Sequence, residues 1–161
     1  MKKYFLGLLL FCISVYTEAS VITMADPTIF YEDGYYYLTG TFRSGSGFNM
    51  YRSTDLVHWQ AVGNATNNLA MWREDTFGDA NFWAPQIFKH NGKYYLAYAA
   101  NEQIGIAESS NPMGPYKQSR IHEITHTTGQ IDPFLFHDDD GKVYLYYVRF
   151  VGGNTLYVAR M

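Results

Sequence analysis

Short runs of apolar and aromatic residues alternate with turn-forming residues along the chain, and the arrangement occurs three times. Each unit has an apolar run that starts at a proline, then a polar turn, then a run rich in tyrosine. Inside the runs the side chains alternate with a period of two, which is the period of a β-strand. The units are "DPTIFYEDGYYYLTGTF" from Asp26, "APQIFKHNGKYYLAYAA" from Ala84 and "DPFLFHDDDGKVYLYYV" from Asp132.

The turn in each unit ends in glycine, which favours a tight β-hairpin. Asp33-Gly34, Asn91-Gly92 and Asp140-Gly141 supply residues that adopt positive φ readily. Further strand-like sequence follows each hairpin, as in "FNMYRSTDLVHWQAV", "IGIAESSNPMGPYKQS" and "TLYVARM". A repeat of about 40–50 residues with up to four strands has the size of a β-propeller blade.

The pattern therefore predicts an all-β fold made of four-stranded antiparallel blades. About two and a half to three blades are present, because the third unit stops early. A propeller hides its strand edges by closing into a ring, and so few blades cannot close. We expect residues 20–161 to be the truncated N-terminal part of a larger β-propeller domain.

The first nineteen residues have the features of a secretory signal peptide. Lys2 and Lys3 precede an apolar run from Phe5 to Val15, and a small residue, Ala19, ends a small-x-small cleavage site. The apolar run is far shorter than the roughly 20 residues of a membrane-spanning helix. The pattern predicts cleavage after Ala19 and a secreted or periplasmic protein with no other membrane segment.

Composition narrows the classes of partner. The chain is 47% hydrophobic and 18% aromatic, which suits β-rich packing. Without residues 1–19, ten basic and fourteen acidic side chains remain, a net charge of −4 that disfavours nucleic acid. The single cysteine, Cys12, leaves with the signal peptide, so stability depends on core packing. The sequence indicates no cofactor and leaves the oligomeric state open.

The hexapeptides "ADPTIF", "WAPQIF" and "IDPFLF" mark equivalent positions of the three units. Proline has no amide donor and is tolerated at a strand start or edge, as on the innermost strand of a blade. Equivalent positions of successive blades lie on one face, so Asp26 and Asp132 should approach the propeller axis together. The second unit has Ala84 at this position, so an aspartate is not needed to start the strand. This indicates that Asp26 and Asp132 belong to a functional site. An aspartate that merely favours the turn before proline is the alternative.

Several motifs together, in the order found here, resemble family 43 of the glycoside hydrolases. They are "ADPTIF", "YRSTDLVHW", "FWAPQIF", "HNGKYYLAY", "SSNPMGPY", "IDPFLF" and "DDDGKVYLYY". Members of that family are exported five-bladed β-propellers that act on arabinose- and xylose-containing polysaccharides with inversion. The resemblance implies that Asp26 is the general base and that Asp132 orients the general acid and raises its pKa. It also implies that the acid is a glutamate on a later blade, beyond this chain.

An inverting mechanism explains why two such aspartates are needed. One carboxylate activates water while a carboxylic acid, roughly 6.5–9.5 Å away, protonates the leaving group. A neighbouring negative charge keeps that acid protonated. We therefore expect the full-length protein to hydrolyse O-glycosidic bonds in arabinose- or xylose-containing polysaccharides or oligosaccharides, and the fragment alone to be inactive. The alternative is a carbohydrate-binding propeller fragment without chemistry.

Three aromatic residues are candidates for sugar binding. Trp83 precedes Ala84 near the expected channel mouth, and Phe82 is on the same turn. A flat ring there can stack on a sugar, although packing between blades is the alternative for both residues. Trp72 lies in the long connection between the first two units, where binding residues often occur.

The segment His122-Glu123-Ile124-Thr125-His126 matches the H-E-x-x-H pattern of zinc metalloproteases. That pattern requires a helix, which places both imidazoles on one face. The flanking β-branched residues favour a strand instead, and in a strand the histidines would be about 13 Å apart. The sequence therefore predicts no metal site and leaves a metalloprotease as a remote alternative.

Overall fold

The computed structural model describes residues 18–42, 47–63 and 69–161. The predicted signal peptide, residues 1–19, lies outside the described residues except for its last two. Within the described part, no helix is long and apolar enough to span a membrane. The described chain forms a short 3-10 helix at Arg73–Asp75 and these strands: β1 (Ala25–Glu32), β2 (Tyr35–Thr41), β3 (Gly47–Ser53), β4 (Gln60–Val62), β5 (Leu69–Trp72), β6 (Trp83–His90), β7 (Lys93–Ala100), β8 (Gln103–Ser109), β9 (Gln130–His137), β10 (Val143–Phe150) and β11 (Asn154–Arg160).

The strands form three antiparallel sheets, one for each sequence unit. The first sheet has the order β1-β2-β3, and both β4 and β5 pair with the free edge of β3. β4 pairs with the second half of β3 and β5 with its first half, so the two together take the place of a single fourth strand. The second sheet has the order β6-β7-β8, and the third has the order β9-β10-β11.

The prediction of four-stranded blades is met only by the first sheet. In the second unit the fourth strand is reduced to an isolated bridge between Glu108 and Lys117. Pro112 and Pro115 precede this bridge and have no amide donor for a ladder, and Gly114 has a φ of 84°. These residues explain why the second sheet has three strands and a bridge.

Two of the predicted hairpin turns have the predicted geometry. Asp33 and Gly34 have φ values of 49° and 82°, and Asn91 and Gly92 have values of 47° and 76°. Positive φ at both central residues defines the type I′ turn, whose twist matches that of the flanking strands. These turns connect β1 to β2 and β6 to β7.

The middle strand of the second sheet is buried on both faces, which places this sheet between the other two. Tyr94, Leu96 and Tyr98 pack into a large cluster with side chains of the first sheet, including Phe48. Ala97 and Ala99 face the third sheet, in a cluster that contains Leu135 and Leu145. Large side chains on one face and alanines on the other allow the third sheet to approach closely.

Two apolar faces remain uncovered at the ends of this row of sheets. On the first sheet, Ile29 and Tyr31 are 54% and 58% exposed. On the third sheet, Phe134, Leu156 and Val158 are 51%, 67% and 56% exposed. Exposed apolar side chains grouped on one face of a sheet favour an interaction surface there. The architecture is therefore a partial β-propeller with an open face at each end.

Candidate active site

The inner strand of each sheet begins with the same backbone irregularity. Asp26, Ala84 and Asp132 have φ values of 48°, 44° and 54°, and a proline follows each of them. The ladder of each strand slips in register at this point, which is a β-bulge. The bulge takes the residue before the proline out of the regular ladder and directs it toward the space between the inner strands.

The left-handed backbone gives the two aspartates a local reason to be here. Aspartate tolerates positive φ better than alanine does, and a non-glycine residue in a sparsely populated region costs roughly 1–3 kcal/mol. Ala84 nevertheless has the same backbone, so the fold imposes this conformation on all three units. Local preference therefore explains each aspartate singly, but it does not explain their shared cavity.

The three bulges line one open cavity of about 360 Å³. Burial raises the pKa of the Asp132 carboxyl above its ordinary value of 3.8, and the nearby Asp26 carboxylate raises it further. Both aspartates nevertheless retain exposed surface on the cavity wall, where a ligand can reach them. The lining residues are Asp26, Pro27, Thr28, Ala84, Pro85, Gln86, Asp132, Pro133 and Phe134.

Asp26 is held by a hydrogen-bonded chain that crosses from the second sheet to the first. The backbone N–H of Ala84 donates to Oγ1 of Thr41 at 2.9 Å. The Thr41 hydroxyl donates in turn to Oδ2 of Asp26 at 2.7 Å. Sequence reasoning missed Thr41, because a threonine at the end of a strand has no distinguishing pattern.

Gln86 holds the second inner strand against the third. Its Nε2 donates to the carbonyl oxygen of Leu135 at 3.2 Å, and the backbone N–H of Leu135 donates to its Oε1 at 2.7 Å. These two bonds fix β6 and β9 relative to each other three residues from Asp132. Sequence reasoning missed Gln86 too, although an amide inside the apolar run "APQIF" was a signal.

The prediction that Phe82 contacts sugar is wrong for this structure. Phe82 is fully buried, and its ring packs against Phe48 and Tyr98 with centroid distances of 6.0 and 5.9 Å. The residue lies in the core between the first two sheets, away from solvent. Packing between blades, the alternative considered from the sequence, is its role.

The two tryptophans are half-buried, and their part in sugar binding stays a prediction. Trp83 directly precedes Ala84 and packs against the cluster between the second and third sheets. Trp72 pairs with Gly47 at the end of β5, at the same end of the first sheet as Asp26. It is three strands from β1, or about 14 Å at the usual strand spacing. Trp72 therefore lies toward the rim of the first sheet, at the end that carries Asp26.

The cavity lining does not include Glu74, Glu102, Glu108 or Glu123. Glu74 lies in the 3-10 helix, and Glu102 lies in the turn between β7 and β8. Glu108 pairs with Lys93 at 3.0 Å, and Glu123 lies in the connection between β8 and β9. The carboxyl groups that line this cavity are therefore those of Asp26 and Asp132.

The H-E-x-x-H segment lies in an irregular connection, in neither a helix nor the predicted strand. Nδ1 of His122 donates to the carbonyl oxygen of Glu123 at 2.6 Å, and Nδ1 of His126 lies 3.6 Å from Oε1 of Glu123. Without a helical turn, the two imidazoles lack the shared face that zinc binding needs. Across the described ranges, no group of three or more His, Cys, Asp or Glu side chains is placed to hold a metal ion.

Replacing Asp132 by asparagine is expected to stabilise the folded protein at neutral pH. Because folding raises the pKa of Asp132, the folded state holds this proton more tightly, and the wild type loses stability as pH rises above 3.8. Asparagine has no proton to lose and tolerates positive φ. Urea midpoints should favour the variant at about pH 7, with the difference shrinking toward about pH 4. A variant that is less stable at neutral pH would contradict this account.

Comparison with known proteins gives one family. Residues 20–161 match the family described as glycosyl hydrolases family 43. An extracellular exo-α-(1→5)-L-arabinofuranosidase of Cellvibrio japonicus is 29% identical over 94% of this chain. A crystal structure described as an endo-1,4-β-xylanase from Bacteroides thetaiotaomicron is 38% identical, covers 86% of this chain and superposes with a TM-score of 0.78. A thermostable family-43 glycoside hydrolase superposes with a TM-score of 0.75 at 28% identity over 90% of the chain.

The matches cover most of this chain but only part of each relative. The chain spans 48% of the arabinofuranosidase, 47% of the xylanase chain and 51% of the thermostable hydrolase chain. It therefore covers about half the length of these relatives. The all-β architecture and the resemblance predicted from the sequence motifs are both confirmed.

Proposed function

The chain belongs to glycosyl hydrolase family 43, and we propose that it forms the N-terminal part of an exported inverting glycosidase. Its substrates are polysaccharides or oligosaccharides that contain arabinose or xylose. Residues 20–161 supply the general base and the residue that orients the general acid. The rest of the propeller supplies the acid itself.

The observation that carries this proposal is the convergence of two carboxyl groups on one open cavity. Asp26 is the general base: Thr41 occupies its Oδ2, and Oδ1 is left for the attacking water. Asp132 lies on the same cavity wall, close enough for the Asp26 charge to raise its pKa. Above that pKa its own negative charge disfavours ionisation of a neighbouring acid, which is the condition for proton donation to the leaving group.

A glutamate from the remaining blades completes the site in this proposal. Among the described residues no glutamate lines the cavity, and a missing proton donor costs a glycosidase roughly 10²–10⁴ in rate. The two uncovered apolar faces, at Ile29 with Tyr31 and at Leu156 with Val158, are the surfaces that further blades would cover. Residues 20–161 alone are therefore expected to be inactive.

The names of the relatives support the choice of substrate and the location. The first relative is named as an extracellular exo-α-(1→5)-L-arabinofuranosidase and the structural relative as an endo-1,4-β-xylanase, names that refer to arabinose and xylose. The amino-terminal pattern of Lys2, Lys3 and the following apolar run supports export. A carbohydrate is the only partner that the proposal requires.

A carbohydrate-binding protein without chemistry is the second candidate. The favouring observation is that the cavity is open and lined by two aspartates without a glutamate to donate a proton. Such a protein would bind pentose oligosaccharides through Asp26, Asp132 and Trp83 and leave them intact.

Assays of the whole gene product separate the two candidates. We expect it to hydrolyse para-nitrophenyl arabinofuranoside or xylopyranoside, and proton NMR should show that the anomer released first has inverted configuration. Retained configuration would contradict the mechanism. Binding of arabino- or xylo-oligosaccharides by calorimetry, without turnover of either the aryl glycosides or the oligosaccharides, would favour the binding protein.

A further inference from the structure

We infer that Thr41 is a positioning residue for Asp26, and that the second sheet serves this aspartate through the backbone N–H of Ala84. The inference rests on the proposed role of Asp26 as general base. It assigns a task to the one unit that lacks an aspartate before its proline. Where the first and third units contribute a carboxylate, the second contributes a hydrogen-bond donor.

The direction of both hydrogen bonds follows from the groups that take part. A backbone N–H can only donate, so Oγ1 of Thr41 accepts from Ala84 at 2.9 Å. The hydroxyl has a single hydrogen, and the carboxylate oxygen of Asp26 at 2.7 Å can only accept it. The Ala84 N–H thus orients the hydroxyl toward Oδ2 of Asp26. A hydrogen bond to an ionised carboxylate is also stronger than a neutral one.

Thr41 is rigid enough to act as a positioning group. It lies at the end of β2, where it pairs with Ala25, the residue directly before Asp26. Its β-branched side chain has few rotamers. The hydroxyl therefore sits at a set position relative to the Asp26 backbone. With Oδ2 held there, Oδ1 is the oxygen that Asp26 would use to activate a water molecule.

The strained backbone at Ala84 fits the same assignment. Its φ of 44° is the conformation that occurs at both aspartates, and alanine gains nothing locally from it. In that conformation its N–H reaches across to Thr41 on the neighbouring sheet. An aspartate at this position would add a third carboxylate to the cavity that Asp26 and Asp132 share, and like charges there repel.

The test compares two threonines of the same strand in the whole gene product. Thr39, also in β2, donates its hydroxyl to the carbonyl oxygen of Asn49 at 2.7 Å inside the first sheet and is fully buried. Thr41→Val and Thr39→Val each remove one hydroxyl at nearly constant shape. Thr41→Ser keeps the hydroxyl that the inference requires. Asp26→Asn is assayed beside them.

We expect Thr41→Val to lower kcat by about ten- to hundredfold, as small misplacements of catalytic groups do, with KM changed less than about twofold. Thr41→Ser should recover most of the lost kcat. Thr39→Val should lower the melting temperature and leave kcat of the folded enzyme near that of the wild type. If Thr41→Val fails to fold, Thr41→Ala removes the same hydroxyl without a second methyl group beside Ala84.

The same experiments distinguish failure of the inference about Thr41 from failure of the proposed function. If Asp26→Asn is inactive while Thr41→Val and Thr41→Ala keep wild-type kcat, the inference is wrong and the proposed function stands. If Thr41→Ser is as impaired as Thr41→Val, the hydroxyl is not the cause and the inference is also wrong. Full activity of Asp26→Asn would overturn the proposed function itself.

Discussion

The Asp26→Asn variant of the whole gene product is expected to lose roughly 10²–10⁴ of its kcat, the usual contribution of a general base. Asparagine has the size of aspartate, tolerates the φ of 48° and can still accept the hydrogen bond from Thr41. It cannot take a proton from water. KM and the melting temperature should therefore change little. Steady-state kinetics on an aryl pentoside measure kcat and KM separately.

Asp33→Asn is the matched control for this experiment. Asp33 has nearly the same backbone, with a φ of 49°, and is exposed in the turn between β1 and β2. That turn lies at the opposite end of β1 from Asp26, so the same chemical change there should leave kcat untouched. Equal activity of Asp26→Asn and Asp33→Asn would show that Asp26 is not the base.

Phe82→Ala is expected to destabilise the protein by about 3–5 kcal/mol, the range for removing a buried phenylalanine ring. The ring is fully buried between Phe48 and Tyr98, so its removal leaves a cavity in the core between the first two sheets. The fall in the free energy of unfolding should appear as a lower urea midpoint. A loss of this size is comparable to the whole stability of many domains, so a low soluble yield is also expected.

The substitution Phe82→Leu separates packing from sugar binding. Leucine retains much of the apolar volume and should cost well under half as much as alanine. If Phe82 contacted sugar instead, both variants would weaken oligosaccharide binding with little change in the urea midpoint. That outcome would restore the interpretation made from the sequence and contradict the buried position.

The hairpins were predictable because their signals are local. Asp33-Gly34 and Asn91-Gly92 specify type I′ turns by the φ angles that these residues tolerate, and the alternating runs beside them specify strands. The strand count was less predictable. Val62 and Leu69 belong to separate short strands on one edge, and Lys117 contributes only a bridge. Edge pairing depends on which free edge is within reach, and this is not a local property.

The part of the candidate site that occupies equivalent positions of the internal repeat was predictable from the sequence. Aligning the three units brought Asp26, Ala84 and Asp132 to equivalent positions, and the structure places all three on one cavity. Thr41 and Gln86 were missed because each forms a hydrogen bond across a boundary between sheets, with Ala84 and Leu135 respectively, residues more than ten positions away. Phe82 and Trp83 are adjacent in sequence, but only Phe82 is fully buried, and no pattern within one strand distinguishes the two.

The sequence by itself determined the all-β repeat, its turns and the pair of aspartates, because these depend on backbone preferences and on spacing within each unit. Only the tertiary structure decided which oxygen of Asp26 is held, how Ala84 serves the first sheet and which aromatic ring lies in the core. Those features depend on how neighbouring sheets pack. Contacts between residues distant along the chain are set by the packing of whole sheets, and no short segment encodes them.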